Sequence, residues 1–473
     1  MFMGLATEDA EAKAVPGAAE SWQVSDDGLV YTFKLRDHQW SDGEKVTAED
    51  FVFAYRRILD PSFPAKYASI LYPIKNAEAL KSGELEGMEN LGVRAIDDMT
   101  LEITLENPTP YLIGLLTHYT SFPVPKHKVE ELGDDWVKPG NIVGNGAYTV
   151  TEWVPNSQIT AVKNENFYDA ANVKIDKVIY YPDEDRNAVT KRFRAGEIDY
   201  AADFASEQID WLKANLPNET HVAPYLGLYY YSITNTREPF SDPRVREALS
   251  FAIDREAITD KVLKTGEIPA YSIVPPGTDN YGEPAELEWK DVAYPERVER
   301  AKGLLQEAGF GPDKPLSLKL IYNTSENHKK IAVAVASMWK QLGVQAELSN
   351  SEVKVHYNLL EENDFDVGRV GWIADYNDPQ NFLFLLQSSS GKLNYARYSN
   401  PQYDELMNRA AATRDLDERA EVLRQAEALA LKETAMVPIY YYVSKNLVQQ
   451  YVEGWVENTK DIHRTRYISL ANR

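Results

Sequence analysis

At 473 residues the chain is too long for a single hydrophobic core, and with no cysteine it has neither disulfides nor thiolate chemistry. Fifty Lys and Arg against 73 Asp and Glu leave a net charge of -23, which repels phosphate backbones and anionic membrane surfaces and argues against nucleic acid as a partner. No apolar run approaches the roughly 18 residues of a spanning helix, and residues 1–16 lack the charged-then-apolar pattern of an export signal, so direct membrane insertion is not expected.

Residues 20–35, ESWQVSDDGLVYTFKL, alternate on both sides of Asp27-Gly28, which predicts two strands joined by a hairpin. After the turn at Trp40-Ser-Asp-Gly43, Thr47 and Asp50 frame an acidic capping box. Phe51, Val52, Tyr55, Ile58 and Leu59 then recur at helical spacing up to Pro61. The whole block AESWQVSDDGLVYTFKLRDHQWSDGEKVTAEDFVFAYRR is similar to the signature region of the extracellular solute-binding family that includes peptide, dipeptide and nickel receptors. The resemblance implies an α/β chain with the two-lobed periplasmic-binding-protein type II-like fold, mixed sheets and an extra subdomain. It places that subdomain at residues 1–124, one ligand-binding lobe at 125–226 with 443–473, and the other at 227–442. Met1-Phe-Met-Gly-Leu5 resembles the block that follows the family's leading segment, so the N-terminal strand of one lobe is expected to be lacking.

Residues 91–105, LGVRAIDDMTLEITL, predict a second pair of strands around Asp97-Asp98, and Pro108 to Tyr111 interrupt the pattern before a helix. Gly144-Asn-Gly-Ala-Tyr148 and residues 164–168 match further blocks of the family. RFRAGEIDY, residues 192–200, reads as a helix end with Gly196 in the stop position and a strand after it. The aromatic run 225–235, YLGLYYYSITN, is β-rich. Its three consecutive tyrosines cannot share a face, so one face is expected to pack and the other to bind, with Tyr230 as a candidate ligand contact. Ser241-Asp-Pro243 starts a helix whose Arg244 and Arg246 are expected to be solvated and outside the site.

Helices over 300–308 and 331–342, closed by Gly309 and Gly343, alternate with strands over 316–322 and 344–348, which predicts βαβ connections and a partly parallel sheet. The next strand lies in DFDVGRVGWIADYNDPQNFL, residues 364–383. Gly368 and Gly371 sit inside it, a sign of close approach by another backbone. Asp375, Asn377, Asp378 and Pro379 form a turn just past its carboxyl end, where open α/β sheets keep their ligands. An aspartate in such a cluster also caps turns.

GRVGWIADYNDP resembles the ligand-binding stretch of periplasmic oligopeptide-binding proteins, the solute receptors of ABC peptide importers. The resemblance implies that Asp375 receives a peptide's α-ammonium group, that Arg369 and His328 face its carboxylate, and that the peptide adds as a strand beside Gly371, Trp372 and Ile373. Tyr441 and Asn394 match two further cleft-facing positions. Gly227 and Ile373 stand where some relatives have a cysteine pair. Val353 and Leu360 stand where relatives often have a tryptophan and an arginine, so an arginine restored at 360 is expected to strengthen one peptide length by roughly 1.5–3 kcal/mol.

An enzyme is the main competing class, in the form of a carboxylate-based glycoside hydrolase. The seven histidines include no His-Glu-x-x-His, there is no Gly-x-Ser-x-Gly, Ser390-Gly-Lys392 lacks the lead of a P-loop, and Asp375-x-Asn377 lacks the glycine of a calcium loop. The expected function is a periplasmic receptor, not an enzyme, that closes on a short peptide in an interlobe cleft. It is expected to be a monomer without cofactor or metal that serves the membrane permease of a peptide ABC transporter. Murein peptide, nickel chelate and haem are the alternative solutes.

Overall fold

The computed structural model describes residues 1–65 and 67–471 and divides into two compact units, Met1–Phe204 with Asn446–Arg473, and Ala205–Lys445. The expected boundary at 226/227 falls inside one strand that runs unbroken over Thr220–Ile233.

The first unit begins with the two-stranded ribbon β1 (Ala6–Glu8) and β2 (Ala14–Pro16). The expected hairpin is formed by β3 (Ala19–Val24) and β4 (Val30–Leu35). Gly28 takes φ +74° between them, a left-handed conformation that favours glycine. With β5 (Val93–Asp97) and β6 (Thr100–Thr104) they make an antiparallel sheet in the order β3-β4-β6-β5. Helix Ala48–Leu59 starts as expected, its Asp50 carboxylate accepting the Thr47 backbone N–H at 2.9 Å. A second antiparallel sheet holds β7 (Tyr148–Val154), β8 (Gln158–Lys163) and β9 (Lys177–Tyr180). Helix Arg186–Arg194 stops at Gly196, and β10 (Tyr200–Ala202) follows. Glu8, buried, is held by both Lys460 and Arg464.

The second unit is built on β11 (Thr220–Ile233), β12 (Ile268–Pro269), β13 (Ser317–Asn323), β14 (Gln345–Ser351), β15 (Val367–Ile373) and β16 (Val437–Val448). Its sheet runs β16-β11-β15-β13-β14, with β12 on β16. Strands β13, β14 and β15 are parallel, joined through helices Glu326–Lys340 and Val353–Glu361 as the alternating pattern predicts. The last three residues of β16, Asn446–Val448, already belong to the first unit and pair there with β10; a two-stranded ribbon of β17 (Val452–Glu453) and β18 (Ser469–Leu470) follows in the same unit.

Two sequence expectations change here. Tyr229, Tyr230 and Tyr231 are all buried, so both faces of β11 pack and neither ring side is open surface. Arg246 is 5% exposed. It donates to the carbonyls of Phe240, Ser241, Glu433 and Thr434, which compensate its burial where solvent had been expected.

Glu427 on helix Leu416–Lys432 is fully buried. It accepts the backbone N–H groups of Ile273, Val274 and Ala285 and the Tyr281 hydroxyl. Burial outweighs these donors and pushes its carboxyl up to about 7. The folded state therefore holds a proton that an unfolded glutamate releases near 4.5. Stability from this site is full below the unfolded value and falls as pH rises towards about 7, by up to roughly 3 kcal/mol. Urea unfolding across that window should show the decline in the natural protein and lose it in Glu427→Gln. Equal slopes in the two would contradict the assignment.

Candidate ligand-binding site

The site grows from β15 because its side chains alternate. Val367, Arg369, Gly371 and Ile373 share one face; Gly368, Val370 and Trp372 share the other. Opposite them on β11 the register sets Tyr231 against Arg369, Tyr229 against Gly371 and Gly227 against Ile373. The two positions of the relatives' cysteine pair are thus direct cross-strand neighbours.

Arg369 is 7% exposed. Its Nη1 donates to Asn323 Oδ1 at 3.0 Å, its Nη2 donates to the Tyr442 hydroxyl at 2.7 Å, and its guanidinium lies 4.8 Å from the centre of the Tyr229 ring. Tyr229 stacks on Tyr440 at 4.7 Å, and the His328 ring is 5.6 Å from Tyr229. The Arg369 carbonyl accepts from His356 Nε2 at 2.8 Å. Burial pulls that imidazole down to about 4, so it is a neutral donor at physiological pH. Among the described residues the partners of the guanidinium are an amide, a hydroxyl and an aromatic face, all uncharged. A buried cation so placed is stabilised by an anionic ligand.

Gly371 makes this arrangement fit. A Cβ there would come 2.6 Å from the Tyr442 hydroxyl and 2.8 Å from Arg369 Nη2. The close approach inferred from the strand glycines is thus made by the protein's own side chains; at Gly368 the neighbours are Leu360 and Phe365. Gly371→Ala is expected to part Arg369 from Tyr442 and to weaken ligand binding by about tenfold, with stability changed by no more than about 1 kcal/mol. Calorimetry and melting measured on the same sample check this; a large drop in stability would place the strain in the backbone instead.

The edge of β15 is the second feature. Among the described residues its ladder with β13 consists of Leu320 with Val367 and Ile321 with Gly368, so residues 369–373 have a strand partner on the β11 side only. Asp375 follows just past the strand. Its backbone N–H and the Trp372 Nε1 both donate to Asn381 Oδ1, at 3.2 and 3.0 Å, and Asn381 is fully buried. Asp378 in the same turn is paired with Arg419.

The structure brings together Arg369, Gly371, Ile373 and His328 on one side of the sheet, with Trp372 and Asp375 at the strand's end. It does not bring in the other three expected residues. Tyr441 is buried with its hydroxyl on Ser272, while Tyr442, one residue on, reaches Arg369. A one-residue step along a strand changes the face. Asn394 is buried and spans the backbone of Gln387 and Tyr398, and Tyr230 lies in the core. Asn323 and Tyr442 went unnoticed in the sequence; the period-2 pattern of Tyr440 and Tyr442 was the available signal.

The family model of the bacterial extracellular solute-binding proteins, family 5 (middle), matches residues 13–394. The chain is 44% identical over 460 residues to the periplasmic oligopeptide-binding protein OppA of Salmonella typhimurium, covering 96% of this chain and 84% of that protein. It is 39% identical to the periplasmic murein peptide-binding protein MppA of Escherichia coli, covering 99% and 88%. A crystal structure of Haemophilus influenzae OppA in complex with RPPGFSPFR superposes with a TM-score of 0.91 at 37% identity, over 100% of this chain and 93% of that one.

Proposed function

Because the chain belongs to the bacterial extracellular solute-binding proteins of family 5, we propose that it captures short oligopeptides in the periplasm and delivers them, as a monomer, to the membrane permease of an ABC peptide transporter. It is a solute-binding receptor. Its work is capture and release, not turnover, and it needs no cofactor.

The observation that carries the peptide reading is the strand edge 369–373 with a buried cation at one end and a carboxylate just beyond the other. An extended peptide adds to such an edge through backbone hydrogen bonds, which tolerate many side chains. Its ammonium group pairs with Asp375 and its carboxylate points towards Arg369 or His328, so it runs antiparallel to β15. From Arg369 to Asp375 the extended chain spans at most about 20 Å, the reach of about six residues. Gly371, Trp372 and Ile373 line the path. Tyr230, Tyr441 and Asn394 support the fold around it from buried positions.

The likeness to MppA favours murein peptide as a second ligand. A nickel chelate or haem brings no ammonium group for Asp375. Native mass spectrometry of the purified protein is expected to release peptides of about two to six residues. A metal chelate or porphyrin as the sole copurified ligand would overturn the peptide reading.

A further inference from the structure

The turn that carries Asp375 is held from behind by one helix, Leu416–Lys432. Arg419 on that helix is 1% exposed and grips Asp378 with both terminal nitrogens, Nη1 to Oδ2 at 2.9 Å and Nη2 to Oδ1 at 2.8 Å. Asp378 is itself fully buried. Eight residues on, about two turns along the same helix, Glu427 gathers Ile273, Val274, Tyr281 and Ala285 around its carboxyl group. That loop returns to the ligand site, since the Asp279 backbone N–H donates to Asn377 Oδ1 at 3.0 Å. Asp375 therefore sits in a turn anchored at Asn377 and Asp378 by two separate attachments to one helix.

A fully buried ion pair adds little net stability compared with apolar packing, because desolvating two charges offsets their attraction. It does fix geometry, since a planar guanidinium meets a carboxylate in one orientation. A carboxylate that receives an ammonium group gains from being held at the right distance before the ligand arrives.

We infer that Arg419, through Asp378, and Glu427, through the 273–285 loop and Asn377, are positioning residues that hold Asp375 for ammonium recognition without touching the ligand. This rests on the proposed role of Asp375. Arg419 and Glu427 act through the turn, so their effect is confined to the discrimination of a peptide's free amine.

The test measures the ratio of affinities for a tripeptide and its N-acetylated form. Arg419→Lys keeps the charge and loses the fork, and Asn377→Ala removes the acceptor of Asp279 from a half-buried turn. Arg419→Lys is expected to lower the ratio at least about tenfold and Asn377→Ala by a few-fold. In an Asp375→Asn background neither should lower free-amine affinity further. An unchanged ratio in both variants overturns the inference, and so does a loss that persists undiminished in the Asp375→Asn background. Should Arg419→Lys fail to fold, Asn377→Ala alone decides. A natural protein that binds both peptides equally would refute the role of Asp375 itself, a result distinct from normal discrimination that the variants leave untouched.

Discussion

Asp375→Ala is expected to weaken binding of a free-amine peptide by about 3–5 kcal/mol, on the order of a thousand-fold in Kd. The size follows from what the ligand loses. An ammonium group taken out of water beside the half-buried turn keeps its desolvation cost when its carboxylate partner is gone. The variant should fold as the natural protein does, because the turn is anchored through Asp378, Asn377 and the Asp375 backbone rather than through this side chain alone. Binding of an N-acetylated peptide, weak to begin with, should be nearly the same in both proteins. Calorimetry with the two peptides gives the four numbers required. Equal losses for both ligands would mean that position 375 shapes the turn and does not read the amine.

Leu360→Arg is expected to destabilise the protein by about 3 kcal/mol or more, and not to strengthen any peptide length. Resemblance to relatives that often have an arginine at position 360 predicts a missing carboxylate anchor there. Helix Val353–Glu361 instead turns Leu360 wholly inward, with its Cδ2 against Gly368 and near Phe365, while Val353 is 49% exposed. A guanidinium there enters a close-packed layer of apolar side chains. It also displaces the methyl groups that fill the space above Gly368. The urea midpoint should fall with an unchanged m-value. A variant that unfolds with the natural midpoint would show that helix Val353–Glu361 leaves room at this position, and a length-selective gain in peptide affinity would restore position 360 to the binding site.

The sequence was most legible where local chemistry decides the outcome. Asp27-Gly28 could hardly be anything but a hairpin, Thr47 and Asp50 announced a helix, and Gly309 and Gly343 marked the ends of the βαβ helices, where both take positive φ. Arg369, Trp372 and Asp375 are singled out by the resemblance of one stretch, GRVGWIADYNDP; the residues alone point only to a strand with inset glycines that ends in a polar turn at Asp375. Residues joined by long-range packing were not. Arg419 and Asp378 lie 41 positions apart, and nothing in either neighbourhood marks the pair. Tyr440, Tyr441 and Tyr442 are chemically identical, so only the register of β16 decides that Tyr442 meets Arg369 and Tyr441 meets Ser272. Arg246 looked like a surface charge because its partners are carbonyl oxygens, which carry no sequence signature.

On the proposed function the chain binds a peptide as an added strand whose two charged ends are read by Asp375 and by the Arg369 cluster. Calorimetric titration of ligand-stripped protein with one tetrapeptide in four forms, unmodified, N-acetylated, C-amidated and doubly blocked, tests it most directly. The unmodified peptide should bind tightest. The C-amidated form should lose about 1.5–3 kcal/mol as a charged hydrogen bond is lost, the N-acetylated form should lose more, and the doubly blocked form should not bind measurably. Equal affinity for all four forms would show that neither Asp375 nor the Arg369 cluster reads a peptide terminus.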